Sequence, residues 1–438
     1  MLSLLLNRFL ILLEIAWAYI FLRKQDNNKV FGGQNTLMRN IGVNAGANAG
    51  VPQNILLFAY MGLGDAIMML PMLRSIKEAY PDTKIHALTQ APSPAHEILR
   101  LSGCVETIEF FAFKQASLKE RWKLMRRLRA KKFDMVFCSY VAPVPYFITL
   151  IRNIPVRVGH VAHRRGARNV SFEFLWTHPV HVSDSDHSHE TKRYLALVEA
   201  LGIETKQHHL NIALEPQPDH IRRATDYLRA KGVHDADICC GFHPAVGVTM
   251  PWRQWGVEKL IETAQRLQKE YSDADTKVWI LLIGSNADKI LLQAMAEKIK
   301  HNVCIIIPDE ICLPEDIPLS MTMALLRKCA VLIANDGGIA HLATSCGTAL
   351  VRVFGMADYY GYKSLPLDNN VRNVDVWKGL ACSPCMGLGV IKPGYNLTNC
   401  GHLNCLTLIT VNEVVQEASI TLEDYIASRD RLFSDGHQ

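Results

Sequence analysis

A strong charge of either sign is missing from this chain. Lys and Arg number 47 against 42 Asp and Glu, a formal net charge of +5. That excludes the footprint of a nucleic-acid binder, whose basic residues would dominate one face. Short internal repeats and long low-complexity tracts are missing too, so neither a repeat array nor a disordered chain is expected. The first strand-turn lacks the third glycine of a dinucleotide fingerprint, and no clear acid follows at the expected distance, which argues against an NAD oxidoreductase. A disulfide framework is absent: of 12 cysteines most are scattered, several within apolar runs such as CCGF and VFCSY. Buried free Cys behaves as a small hydrophobe and suits a reducing compartment. Neither a small-residue cleavage site nor a preceding basic cluster accompanies the apolar amino terminus, so a cleaved signal peptide is not expected.

What is present is a globular composition, 49% hydrophobic and 20% charged, in 438 residues. Such a chain can bury large cores, and its length predicts two domains. The exception is MLSLLLNRFLILLEIAWAYIFLRK. Residues 2–22 are apolar except for Ser3, Asn7, Arg8 and Glu14, long enough to span a bilayer. Ser3, Asn7 and Glu14 share one narrow helical stripe, which favours a helix lying in the interface. Arg23 and Lys24 follow, and if the helix spans, they place the rest of the chain in the cytoplasm. The alternative is a helix packed on the protein's own surface.

Residues 25–53 are rich in Asn and Gly and read as a flexible tether. Then apolar runs alternate with helical patterns: NILLFAY, KIHALT, TIEFF, DMVFCSY and VRVGHV. EPQPD, Glu215–Asp219, interrupts the series. A second series follows: ICCGFHP, KVWILLIGS, VCIIIPD, AVLIANDGG and ALVRVFG. Strand alternating with helix predicts a doubly wound α/β architecture in two similar halves with a cleft between them. The expected organisation is a membrane-associating helix over 1–24, the tether over 25–53, an amino-terminal Rossmann-like acceptor domain over 54–214 and a linker with the first helix of the second half over 215–235. A Rossmann-like donor domain then covers 236–409, and a pair of helices covers 410–438.

Three strand-ending loops could carry chemistry, because ligands in open parallel sheets sit at the carboxyl ends of strands. In AYMGLGDAIMMLP, Gly62 and Gly64 make a tight loop, and Asp65 begins a helix as either a cap or a base. In GFHPAVGVTMPWRQW, Arg253 stands between Trp252 and Trp255, a cation that can grip phosphate bidentately or a loop residue pinned by its tryptophans. In NDGGIAHLAT, Asp336 leaves the strand, and Gly337 and Gly338 let backbone N–H groups approach a ligand. A helix starting at about Ile339 then carries His341 in its first turn. The alternative makes Asp336 an N-cap and His341 a core residue. In two facing α/β halves the three loops would line one cleft, an acid opposite an anion site, as a nucleotide-sugar transferase needs.

MGLGD followed by Pro71, the HP…W-R-x-W segment, and NDGG-x-x-HLA followed by VFG together resemble glycosyltransferase family 9, the bacterial lipopolysaccharide heptosyltransferases. HETKRYLALVEALG and CSPC add to the resemblance, which runs from Asn54 to about Val415. It implies a GT-B fold of two Rossmann-like domains. It also implies inverting, metal-independent transfer of a heptose from ADP-heptose to a lipopolysaccharide core glycolipid, with no cofactor required. Asp65 matches the family's catalytic base, with Gly64 beside it on the acceptor side. Asp336 matches the acid contacting the donor sugar; Gly337, Gly338 and His341 match the diphosphate-binding turn. Arg253 stands where many members carry lysine, and Gly337 where Ser or Thr is usual. Location on the cytoplasmic side of the inner membrane, held by residues 2–22, fits that acceptor.

HRRGARN, with Arg164, Arg165 and Arg168, and the helix KERWKLMRRLRAKK would attract an acidic glycolipid or an anionic membrane surface; both also read as solvated faces. Cys382, Cys385, Cys400 and Cys405 have spacings compatible with a structural zinc, or form a thiol-rich loop. Two other functions fit the motifs: a nucleotide-sugar epimerase or hydrolase needing no lipid acceptor, and a membrane-tethered sugar-nucleotide-binding protein without turnover.

Overall fold

A computed structural model of the chain describes residues 51–438 apart from 91–92, 113–114, 140–146, 164–172, 184–186, 206–211, 248–249, 366–370, 388–389, 392–399, 401 and 436–438. The expected amino-terminal helix and nearly all of the tether lie outside the described residues. Among the described residues no helix is long and apolar enough to cross a membrane.

The chain forms two compact units. Among the described residues, one comprises those up to Gly62 and those from Met68 to Thr205; the other comprises 63–67 and those from Ile212 to Asp435. The first runs β1 (Asn54–Phe58), α1 (Leu63–Met68), α2 (Leu70–Ala79), β2 (Lys84–Thr89), α3 (Pro94–Leu101) and β3 (Thr107–Phe110). It continues through α4 (Leu118–Ala130), β4 (Met135–Cys138), α5 (Ile148–Ile151), β5 (Val156–His163), β6 (His178–Ser183) and α6 (Glu190–Glu199). By its contacts most of α1 belongs to the second unit. That unit continues with α7 (Pro218–Ala230), β7 (Ile238–His243), α8 (Val257–Tyr271), β8 (Val278–Ile283), α9 (Lys289–Ile299) and β9 (Val303–Ile306). Then follow α10 (Pro308–Ile311), α11 (Pro318–Leu326), β10 (Val331–Asn335), α12 (Gly338–Ser345), β11 (Leu350–Phe354), α13 (Tyr359–Tyr362) and β12 (Asn373–Trp377). A small hairpin, β13 (Met386–Gly387) and β14 (Val390–Ile391), precedes α14 (Asn404–Thr407) and α15 (Val411–Asp435).

Each unit holds a six-stranded parallel sheet, ordered β3-β2-β1-β4-β5-β6 in one and β12-β11-β10-β7-β8-β9 in the other. In both, the order reverses between the two central strands: β1 beside β4, and β7 beside β10. Crevices open at the carboxyl ends of such strand pairs. The central strands are continuous apolar runs because helices cover both faces. Val331, Leu332, Ile333 and Ala334 of β10 are all fully buried.

The first unit's core on one face joins Leu56, Phe58, Val136 and Cys138 of the sheet to Leu124 and Leu128 of α4 and Ile151 of α5. In the second, Phe242 and Ile333 pack with Leu260 and Leu267 of α8 and with Val414, Ala418 and Leu422 of α15. The sixth strand of each sheet, β6 and β12, was not among the expected runs. Both are edge strands and only partly buried. HPVHVS carries Pro179, which an edge tolerates. The expected pair of carboxyl-terminal helices is one continuous helix, α15; no Gly or Pro interrupts Val411–Asp435, and its buried stripe stays on one core.

Candidate functional site

The residues singled out from NDGGIAHLAT converge at the end of β10. Asn335 ends the strand almost fully buried and works as a staple. Its side-chain oxygen accepts from the Trp255 N–H at 2.9 Å, and its amide donates to the Pro244 carbonyl at 2.8 Å. This fixes the loop that leaves β7 against the loop that leaves β10. Trp255 is buried, and its indole N–H donates to the Ile409 carbonyl at 3.0 Å. His243, at the end of β7, donates Nδ1–H to the Ile283 carbonyl at 2.8 Å, and burial lowers its pKa. The HP…WRQW segment is therefore pinned at both ends, and it delivers Arg253 from a short 3-10 turn, Pro251–Arg253.

Arg253 Nη1 stands 3.6 Å from one carboxylate oxygen of Asp336. The other oxygen lies 3.4 Å from Nη1 of Arg352. Asp336 is buried to 6% exposure, and its charge is met by Arg253 and by a share of Arg352, whose closer partner is Asp375. The N-cap of α12 is Gly337, and no side chain caps it. Asp336 is thus not the N-cap that the structural alternative required, and α12 begins one residue earlier than expected, at Gly338. A helix start without a side-chain cap presents N–H groups to an anion.

His341 lies in the first turn of α12, 6% exposed, with Nε2 3.3 Å from Arg352 Nη1. A guanidinium only donates. Nε2 must then accept, which places the ring proton on Nδ1.

Arg352 and its partner Asp375 were not legible as site residues. Arg352 is the largest fully buried side chain of the chain's described residues. It stands opposite Asp375 in the β11–β12 register. Their bonds are bidentate: Nε to Oδ1 at 2.8 Å and Nη2 to Oδ2 at 2.9 Å. Nη2 also donates to the Tyr362 carbonyl at 2.8 Å, and Ser364 donates its N–H and hydroxyl to Asp375 at 2.9 and 3.0 Å. Burial alone would lower the Arg352 pKa, but the charges of Asp375 and Asp336 outweigh it and raise the pKa above the ordinary value. The available signal was one arginine inside the apolar strand LVRVF.

The first glycine loop meets the same turn within the second unit. A Cβ at Gly64 would lie 2.8 Å from Cδ2 of His341, and a Cβ at Gly338 would lie 2.7 Å from Cβ of Leu63. Both contacts are closer than side chains allow, so these glycines permit the two loops to touch. Asp65 follows in the first turn of α1 and is half-buried; α1 starts at Leu63, earlier than expected. Gly337, by contrast, is extended at φ 179°, and the nearest atom to an added Cβ is 3.9 Å away. Nothing there demands glycine.

Arg164, Arg165 and Arg168 lie outside the described residues. Cys382, Cys385, Cys400 and Cys405 are free thiols. The Cys405 thiol is pushed up to about 11, first by burial and then by neighbouring Cys385, Cys400 and Cys382. Among the described residues no group of three or more His, Cys, Asp or Glu side chains is arranged to hold a metal ion.

A family model described as glycosyltransferase family 9 (heptosyltransferase) matches residues 121–395, more than half of the chain. Lipooligosaccharide heptosyltransferase 2 of Haemophilus ducreyi is 23% identical over 322 residues, 69% of this chain and 83% of the relative. The solved structure of E. coli ADP-heptose LPS heptosyltransferase II aligns with a TM-score of 0.63 at 18% identity, over 85% of this chain and 99% of that one. An E. coli heptosyltransferase solved with ADP aligns with a TM-score of 0.53 at 18% identity, over 85% and 98%. Both structural likenesses concern the fold, an α/β architecture with two parallel six-stranded sheets.

Proposed function

This chain belongs to glycosyltransferase family 9, the heptosyltransferases, and on that premise we propose that it transfers a heptose from ADP-heptose to a lipopolysaccharide core acceptor with inversion. The observation that carries the reading is the arrangement around Asp336. A buried carboxylate sits between Arg253 and Arg352, beside a helix start with no side-chain cap and a histidine whose proton position is set.

In this reading the donor diphosphate lies against the N–H groups of Gly338 and Ile339, beside His341, where the helix start favours negative charge; the N–H groups of Ala340 and His341 donate to the Gly337 carbonyl. Arg253 is the half-exposed cation that closes on it, and Asp336 accepts hydrogen bonds from sugar hydroxyls. Asp65 is the general base. It takes the proton of the acceptor hydroxyl as that oxygen bonds to the anomeric carbon; the bond from that carbon to the diphosphate oxygen breaks, and ADP leaves. Charge developing on the leaving diphosphate is stabilised by the N–H groups and Arg253. Gly64 keeps the base-bearing turn close to His341. The acceptor is a core glycolipid, met in part by Arg164, Arg165 and Arg168. The enzyme works at the cytoplasmic face of the inner membrane, with residues 2–22 as its attachment.

The test is product analysis. Purified protein is incubated with ADP-heptose and truncated core glycolipids, and the products are weighed by mass spectrometry. A mass gain of one heptose on the acceptor, dependent on ADP-heptose, is expected. Free heptose without acceptor modification, or an epimerised nucleotide sugar, would contradict transfer.

A further inference from the structure

The basic helix α4 has a face that the sugar chemistry does not use. Leu124 and Leu128 are fully buried against the sheet, and at about 100° per residue they define its inner side. The opposite side carries Leu118, Trp122, Lys119, Lys123, Arg126 and Arg129, and no acid. The single acid of the helix, Glu120, lies on the flank and is occupied by the Ser117 N–H and hydroxyl in a capping box. Arg127, on the same flank, is paired with Glu109.

Two apolar side chains on this outward face are unusually bare. Trp122 is 59% exposed and Leu118 53%, one helical turn apart. The Arg126 guanidinium lies 4.8 Å from the Trp122 ring centroid. Single exposed apolar side chains are ordinary; what sets this face apart is a Trp–Leu pair one turn apart among four cations and no acid. A bilayer surface suits that combination: indole rings favour the headgroup level, leucine reaches the acyl boundary, and Lys and Arg meet anionic lipid phosphates.

We propose that the outward face of α4 docks on an anionic bilayer surface, with Trp122 and Leu118 seated among the headgroups and Lys119, Lys123, Arg126 and Arg129 supplying the charge. The commitment to a bilayer rests on that charge complementarity together with the exposed apolar pair. The inference adds a second, electrostatic contact to the membrane location proposed above, on which it rests, and it is independent of the transfer chemistry.

The experiment uses the full chain and co-sedimentation with vesicles of phosphatidylcholine alone or mixed with phosphatidylglycerol. Binding by residues 2–22 would raise both values; α4 is read from their ratio. For the wild-type chain the ratio should favour the anionic vesicles and fall with added salt. Charge reversal in K119E/K123E/R126E should cut the ratio by about tenfold or more, with the thermal melt unchanged because these side chains are exposed. Trp122→Phe serves as the spectroscopic control. The emission difference between wild type and this variant should shift blue on anionic vesicles. A ratio unaffected by charge reversal would overturn the proposal. So would a Trp122 signal that stays red, or one that shifts equally with a soluble polyphosphate and no bilayer, which would assign the face to a headgroup ligand instead.

Discussion

Arg352 shows how much of this site depends on a residue that touches no solvent. It holds Asp375 by two bonds and stands near Asp336 and His341. Replacing it with methionine alone would leave Asp375 charged and unpaired in the interior. The expected cost is about 3–5 kcal/mol in denaturant unfolding. The double variant R352M/D375L exchanges the pair for apolar side chains, and most of that stability should return. Affinity for ADP should stay weakened by about tenfold in calorimetry, because Asp336 and His341 lose their fixed partner. A double variant that binds ADP like wild type would reduce Arg352 to a structural role. The glycines divide in the same way. Gly337→Ser meets extended backbone and open space, so its melt should match wild type within about 0.5 kcal/mol. Gly338→Ala would drive Cβ into Leu63 and should cost about 1–3 kcal/mol. Asp336 and His341 could be found by reading forward from the glycines, since a strand-turn-helix signal is local. Arg352 could not: its partner is 23 positions away, and only the β11–β12 register brings the two together.

At the scale of elements, the junction between α7 and α11 makes a pH prediction. Asp316 precedes α11 and receives the Leu313 N–H at 2.7 Å, Arg223 at 2.6 Å and His220 at 3.1 Å. Burial alone would raise its pKa, but these donors outweigh burial and hold it at about 2, against an ordinary value of 3.8. A carboxyl with a depressed folded pKa stabilises the fold above its unfolded value, and that contribution disappears as pH falls through the folded one. The wild-type melting temperature should therefore drop between about pH 4 and pH 2 more steeply than that of Asp316→Asn; parallel curves would remove Asp316 as the cause. Ten of the twelve strands of the two large sheets correspond to apolar runs visible in the sequence, because strands covered on both faces must be apolar throughout. The two others are edge strands, where partial exposure lets His178, Pro179 and Asn373 into the run. The carboxyl-terminal helix was read as two because polar residues dilute its pattern, while the buried stripe of Val414, Ala418 and Leu422 continues through it.

At the scale of the molecule, the repeated strand order in the two units explains why the motifs sit where they do. Asp65, Arg253 and Asp336 all follow a strand that borders the reversal in its sheet, β1, β7 or β10. The alternation of strand and helix was enough to anticipate two doubly wound units, but not that residues 63–67 associate with the second. That association depends on close packing at Gly64 and Gly338, which no periodicity encodes. ADP bound as proposed should slow amide exchange at 336–341 and around Arg253. It should also raise the stability of the second unit by about 2.7 kcal/mol at a hundredfold excess over Kd. Protection confined to the first unit would contradict the assignment. The central claim is that the donor's diphosphate is held at the α12 turn while Asp65 only removes a proton. Asp65→Asn tests it most directly, with transfer rate and ADP affinity measured on the same preparation. Transfer should fall by roughly 10²–10⁴-fold while the Kd for ADP stays within about threefold of wild type. Undiminished transfer by Asp65→Asn, or loss of ADP binding in step with loss of rate, would contradict the account.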